Sequence, residues 1–380
     1  MRLRRRAGMC VVLGLAVLSG AASAQQEPLK LSGSVKSIVL RSETLDGESF
    51  TLDLNRLRIE AKGNITSALR LDLQFDHEVL LGSYLHTAQF RSEKDAAPPQ
   101  YWRAESNIFE SGDAYVRERL YRASLTGSFE SVDLRLGRQR IAWGTGRFWS
   151  PLDILNPVSP IAIERDERLG VDAALLEAKF GPLSRLSVAY APQRRPRGTS
   201  AAVQWHSNVG GYDYSLAGGR VDRQGIVGFD VAGQIAQAGL RAEAARLHPT
   251  GANAFQRFLV GLDYAFANTL IVSGELYYNG GGRSNREAYD FASLAAGRTL
   301  SVATRYVGLF ASYDLTPLLK WSNYLIVNAD DGSRVFDSRL AWALRADLEL
   351  TLGVQSLAGS AGSEYGRLPS AVLAQARWFF

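Results

Sequence analysis

Apolar and polar residues alternate one by one along most of this chain. In Leu69-Arg70-Leu71-Asp72-Leu73-Gln74-Phe75-Asp76 every odd position is apolar and every even one polar. Phe258, Val260, Leu262, Tyr264 and Phe266 alternate with Arg257, Gly261 and Asp263. Phe336, Leu340, Trp342, Leu344 and Leu348 alternate with Asp337, Arg339, Arg345, Asp347 and Glu349. A period of two sends successive side chains to opposite faces of a sheet, so each segment has one apolar and one polar face. Helical periodicity is nearly absent, and no linker, low-complexity tract or solenoid-type repeat breaks the pattern.

Soluble sandwiches also alternate, so length has to decide. These segments run to about 10–14 residues, whereas soluble strands average ~5–6 and tilted membrane-spanning strands need ~9–11. Aromatics gather at the ends of the apolar faces (Tyr190, Tyr264, Phe266, Tyr278, Tyr313, Trp321, Phe336 and Trp378), as in interfacial girdles. Short turns fall at 63–64, 130–131, 181–182, 210–211, 237–238, 267–268, 316–317 and 347–348. Longer connections fall at 42–49, 80–112, 144–167, 193–200, 223–225, 249–254, 280–298, 329–333 and 361–368. Eight turns and nine loops make eighteen strands, an even number with both termini at the turn end. The pattern predicts an all-β fold: a transmembrane antiparallel up-and-down barrel of about 18 strands, turns periplasmic and loops extracellular.

Barrels of 16–18 strands enclose an aqueous lumen. Arg70, Asp72, Asp76, Arg135, Arg257, Asp263, Arg339, Arg345 and Arg377 fall on the polar face and are predicted to line it. A dry core could not hold so many ions, because each unpaired buried charge costs several kcal/mol, whereas a wet lumen can.

The N-terminus has a different character. Arg2, Arg4, Arg5 and Arg6 precede an apolar run from Cys10 to Gly20 and the small-residue site Ala22-Ser23-Ala24. This reads as a cleaved secretory signal over 1–24, leaving 25–380 as a single barrel domain in the outer membrane of a Gram-negative bacterium. Removing four arginines and no acid leaves 39 basic against 38 acidic residues, a net +1 that gives no support for nucleic-acid binding. Cys10, Met1 and Met9 also go, so the mature chain has no thiolate for a disulfide or metal site. No cofactor and no metal are expected.

One stretch departs from the pattern: GRQRIAWGTGRFWSPLDILNP, 137–157. The strand is predicted to run from 132 to 143 with a bend at Gly137. Ser150, Pro151 and Asp153 then read as the cap, first position and capping-box member of a short helix, stopped by Asn156-Pro157. Phe148, Trp149, Leu152, Ile154 and Leu155 need a surface to pack on. Loop 144–167 is therefore predicted to fold inward and narrow the pore over 144–165. Arg138, Arg140, Trp143, Arg147, Trp149, Asp153 and Asn156 would form the constriction and touch the solute.

Two resemblances sharpen this. The C-terminal strand Ala-Gln-Ala-Arg-Trp-Phe-Phe is similar to the assembly signal of bacterial outer-membrane barrels, which implies that Trp378 and Phe380 address the barrel-assembly machinery. The run Gly137-Arg138-Gln139-Arg140-Ile141, Trp143-Gly144, Pro151, Asp153 and Asn156-Pro157 resembles a motif of proteobacterial porin-like barrels related in style to the alginate-export porins. That implies passage of a polar solute. Inward acids are as numerous as inward bases, which argues against a polyanion tunnel.

Two other function classes compete. A barrel enzyme would need a His beside a nucleophile. Of His77, His86, His206 and His248, the tempting His206-Ser207 and Asp76-His77-Glu78 neighbours point to opposite faces of a strand. A non-conducting barrel, serving as a partner sleeve or a surface-polysaccharide binding or export protein, could use loop 80–112 with Tyr84, Phe90, Tyr101 and Trp102, or loop 280–286.

Overall fold

The computed structural model describes residues 27–95, 100–165, 168–193 and 198–380. The signal assigned to 1–24 lies outside them. Nineteen strands form one antiparallel sheet. β1 (Lys30–Glu43), β2 (Ser49–Asn64) and β3 (Leu69–Leu81) open it, followed by helix α1 (Ala88–Asp95) and a short strand β4 (Glu105–Glu110). β5 (Ala114–Phe129), β6 (Val132–Gln139), β7 (Val171–Lys179), β8 (Arg185–Ala191), β9 (Ser200–Val209) and β10 (Tyr212–Val221) continue it. β11 (Gln224–Ile235), β12 (Ala238–Pro249), β13 (Phe255–Ala265) and β14 (Ile271–Asn279) precede a loop containing α2 (Phe291–Ala295). β15 (Arg305–Thr316), β16 (Leu319–Asn328), β17 (Arg334–Arg345), β18 (Leu348–Ala358) and β19 (Ala371–Phe379) complete it.

β1 pairs with both β2 and β19, so the sheet closes without an edge. At the seam Phe380 N–H donates to the Gly33 carbonyl at 3.0 Å, and Gly33 N–H donates to the Phe380 carbonyl at 2.8 Å. The terminal residue thus completes the ladder, while the Trp378 and Phe380 rings meet at 5.3 Å on the outside. Eighteen strands make the barrel, and seven of the eight short turns fall at the expected positions; the turn expected at 63–64 lies at 65–68, because β2 stays paired with β3 through Asn64.

The two faces separate as the pleat requires. On β13, Phe258, Val260 and Leu262 are about half exposed on the outer wall, whereas Leu259 is buried inside. An outer wall of bare Leu, Val, Phe and Trp would be costly in water and is matched to hydrocarbon.

β4 is the extra strand, and loop 80–112 gave no sign of it. β6 stops at Gln139 instead of continuing to 143; Gly137, with φ 115°, bends the strand, and the chain leaves the wall two residues later. A Cβ at Gly137 would lie 2.1 Å from the Ala123 carbonyl oxygen. The departure of β6 bares the upper edge of β5, and β4 covers it by pairing Glu105–Glu110 with residues 115–119. Tyr84 and Phe90 are buried with Phe50, Leu80 and Tyr115 in the same region, so they are packing residues.

Candidate functional site

Residues 140–165 leave the wall after β6 and cross the inside of the barrel, and 168–170 lead back into β7. The helix expected from Ser150 is absent. Asp153 N–H donates to Ser150 Oγ at 3.0 Å, closing one turn, while Ser150 Oγ–H and Leu152 N–H both donate to Glu243. A wall carboxylate has taken the donors that a helix start leaves open.

Two inward carboxylates organise the crossing. Glu243 of β12 accepts from Thr145 N–H at 2.5 Å, Gly146 N–H at 2.6 Å, Ser150 Oγ–H at 2.9 Å and Leu152 N–H at 3.1 Å. Glu275 of β14 accepts from Arg147 N–H at 2.5 Å and Phe148 N–H at 2.9 Å. Apolar packing does the rest. Ile141, Trp143, Leu152 and Leu155 lie against Ala189, Ala202, Ala217 and Ala245, small inward residues of β8, β9, β10 and β12 that leave room for the loop. Phe148 and Trp149 pack on Leu259, Tyr277, Tyr306 and Tyr324, with Trp149 stacked on Tyr277 at 5.2 Å and 10°.

Further along, the loop reaches the opposite wall. Glu164 accepts from Lys36 Nζ of β1 at 2.5 Å and from Arg56 Nη1 and Nη2 of β2 at 3.0 and 3.2 Å. Burial pushes the Glu164 carboxyl up, but Arg56 and Lys36 outweigh it and hold it below the usual range. Gln355 of β18 donates to the Ile161 carbonyl at 3.2 Å.

The predicted ring of Arg138, Arg140, Arg147 and Asp153 is not assembled as one group. Arg138 is buried and bonded to Asp172 at 2.8 Å and to the Leu120 and Trp102 carbonyls, so it clamps the lead-in of β4 to the wall. Arg140 is exposed. Arg147 reaches Asp263 at 3.7 Å and lies over the Phe310 ring at 4.4 Å. Asp153 pairs with Arg168 at 2.8 Å; burial still pushes its carboxyl up to about 7, and Oδ1 has no hydrogen-bond partner. Asn156 donates to the Leu169 carbonyl at 2.9 Å, and Trp143 and Trp149 are buried.

Of the wall residues, Asp76 is buried under Arg58 at 2.6 Å, and Arg339 pairs with Asp337 at 2.9 Å. Asp72 accepts from Gln74, Arg135 donates to Thr126 Oγ1, and Arg257 donates to Asn279 Oδ1. Asp263 takes Arg241 at 2.9 Å. Arg377 stands over the Phe379 ring at 4.6 Å. Arg70 and Arg345 sit beside the turns, pairing at 3.5 Å with Glu27 and 3.4 Å with Asp347, with side chains 55% and 67% exposed.

Open space remains on one side of the crossing. A cavity of about 480 Å³ lies between loop residues Ile163, Glu164, Arg165 and Arg168 and the inner wall of β15–β19 and β1. Lys36, Arg147, Arg165, Arg168, Arg339 and Arg377 line it, against Glu164, Asp337 and Glu349. Above it, toward the loop end, a second cavity of about 590 Å³ is lined mainly by apolar groups, among them Phe50, Tyr84, Phe90, Tyr115, Ile161 and Leu368. Ile163 borders both. Lys36, Glu164, Arg165 and Arg168 were not expected at a site, and nothing in the alternation singles them out.

His206 meets Ser215 across strands at 3.2 Å, with Asp213 at 3.9 Å. Ser215 is buried and both flanking ladders consume the nearby N–H groups, so no oxyanion could be held there.

No protein-family model matches this chain, and no curated protein matches it in sequence. Solved structures do share its fold. OccAB2 of Acinetobacter baumannii aligns at TM-score 0.58 with 10% identity, covering 93% of this chain and 98% of that one. Pseudomonas aeruginosa OpdK, solved with vanillate, aligns at 0.57 with 10% identity over 93% and 98%. P. aeruginosa OccK2 (OpdF), in complex with glucuronate, aligns at 0.56 with 11% identity over 95% and 99%. The fold is thus that of an 18-stranded barrel seen in outer-membrane proteins.

Proposed function

We propose that this protein is an outer-membrane channel that passes small anionic solutes, carboxylates foremost, along the β15–β19 and β1 side of a lumen narrowed by the crossing loop that follows β6. One observation carries the reading: the cavity beside the crossing has six basic side chains against three acidic ones. A cleft lined by an excess of one sign concentrates the opposite ion. The two ligands named in the related folds, vanillate and glucuronate, are both carboxylates, which supports the same class. Arg147, Arg339 and Arg377 are the sequence-predicted residues on this path. The Glu164 carboxylate, held by Lys36 and Arg56, occupies the position that a solute carboxylate would take, so the passing solute exchanges with it. A polyanion tunnel of the alginate-export kind is a poorer fit, because Asp337, Glu349 and Glu164 interrupt the basic wall. Trp378 and Phe380 retain their proposed role as the assembly signal, and the signal over 1–24 the proposed route to the membrane.

The test is planar-bilayer conductance of the refolded mature protein, with reversal potentials in a salt gradient. The channel is expected to conduct and to prefer anions, and Glu164→Gln to raise that preference about two- to fivefold by uncovering Lys36 and Arg56. A cation-selective channel sinks the carboxylate reading. A silent wild type that opens on deletion of 146–157 means that the crossing plugs the barrel.

A further inference from the structure

The two rims of the outer wall differ in charge. At the turn end the outer face carries large apolar and aromatic side chains, among them Phe129, Phe180, Phe266, Trp342 and Trp378. At the loop end, five strands place an exposed arginine on the outer face within three residues of the strand end: Arg41 (β1), Arg220 (β10), Arg246 (β12), Arg305 (β15) and Arg334 (β17). The face follows from the alternation. Arg41 shares parity with exposed Val39, Arg220 with Leu216, Arg305 with Leu309 and Arg334 with Phe336, while the neighbours of Arg246 in sequence, Ala245 and Leu247, are buried inward.

Four of the five form two pairs on alternate strands. Arg220 and Arg246 stand on alternate strands, and in register between them β11 presents Gly225 and Val227. Arg305 and Arg334 likewise flank β16, which presents Val327 opposite Arg334. Alternate strands lie about 10 Å apart, so two guanidinium groups can close on one group seated over the small residue between them. Arg305 also binds Asp330 at 2.8 Å, and Arg220 Nη2 lies 3.5 Å from Thr250 Oγ1; Arg41, Arg246 and Arg334 have no side-chain partner among the described residues. The belt is broken over β2–β9, none of which carries such an arginine, and over β2–β5 Asp53, His77 and Glu118 face outward.

We propose that this belt binds an anionic lipid of the loop-side leaflet whose headgroup carries clustered phosphate monoesters, with its acyl chains on the apolar wall below. A phosphate group accepts two-pronged hydrogen bonds from guanidinium, and acyl chains directly beneath the belt fit the Leu and Val surface there. The inference rests on the membrane-spanning fold and is independent of what passes through the lumen.

The experiment uses the full mature protein in phosphatidylcholine nanodiscs. Diphosphoryl lipid A is titrated in, bound lipid is counted by native mass spectrometry, and the unfolding midpoint is followed. Phosphatidylglycerol at matched charge and dephosphorylated lipid A serve as comparisons. Diphosphoryl lipid A is expected to bind and raise the midpoint. Each of Arg220→Gln, Arg246→Gln and Arg334→Gln should weaken its apparent binding about fivefold, with the midpoint in pure phosphatidylcholine unchanged. Arg→Lys variants should lose part of the binding, because lysine keeps the charge but not the fork. Equal binding by the triple variant overturns the belt, and so does absence of binding by the wild type. An equal response to phosphatidylglycerol overturns the headgroup assignment.

Discussion

The ring of Phe148 fills the space over Gly308: a Cβ built on Gly308 would lie 2.4 Å from Phe148 Cδ2. Gly308 faces inward on β15, and its missing side chain is what lets the crossing loop seat an aromatic against the wall. Gly308→Ala should therefore unseat the ring. The expected cost is about 1–3 kcal/mol, typical of overpacking, with an altered single-channel conductance. Unfolding midpoint and conductance, read on the same preparation, check it; no change in either would mean that Phe148 is not held there.

Glu243 holds the loop by its backbone. Glu243→Gln removes the charge from hydrogen bonds to Thr145, Gly146, Ser150 and Leu152, and one of its oxygens becomes a donor facing donors. Bonds to a charged acceptor contribute about 1.5–3 kcal/mol each, so a loss of several kcal/mol of loop anchoring is expected. Limited proteolysis should then cut within 140–165, where the wild type resists.

Asp153 makes the anchoring pH-dependent. Its carboxyl is pushed up to about 7 by burial, above the ~4 of an unfolded Asp. The folded state therefore holds the proton more tightly. Its contribution is fully present below about pH 4 and is lost as pH rises through about 7. Asp153→Asn, which fixes the uncharged form, should flatten the unfolding midpoint between pH 4 and 8 and raise it at pH 8. A variant whose midpoint tracks the wild type across that range would contradict this.

Gly137 bends β6 two residues before the chain leaves the wall. Gly137→Ala puts a Cβ against the Ala123 carbonyl in a left-handed conformation, at a cost of at least about 1–3 kcal/mol. A reduced yield of folded barrel, seen as loss of the heat-modifiable band on gels, is the expected result. The neighbouring Gln139→Ala, at a position without positive φ, should fold to a higher yield.

Alternation is a local property of the pleat, so the chain itself carried the strand count, the inward and outward faces and the position of seven of the eight short turns. The need of Phe148, Trp149, Leu152 and Leu155 for cover was equally visible, and it pointed inward. The capping-box reading at Ser150 failed because the donors of the first turn had a stronger acceptor in Glu243, 93 residues away. The extension of loop 280–298 to residue 304 and the presence of β4 escaped notice because neither is written in a period of two.

The sequence alone determined that the polar face would be crowded with both signs of charge. Only the closed barrel decided how those charges pair: Arg138 with Asp172 as a clamp, Asp153 with Arg168, and Glu164 with Arg56 across 108 residues of chain. The physical reason is that a side chain's face follows from its neighbours in the strand, whereas its partner follows from the curvature that brings β1, β2, β12 and β14 around one inserted loop.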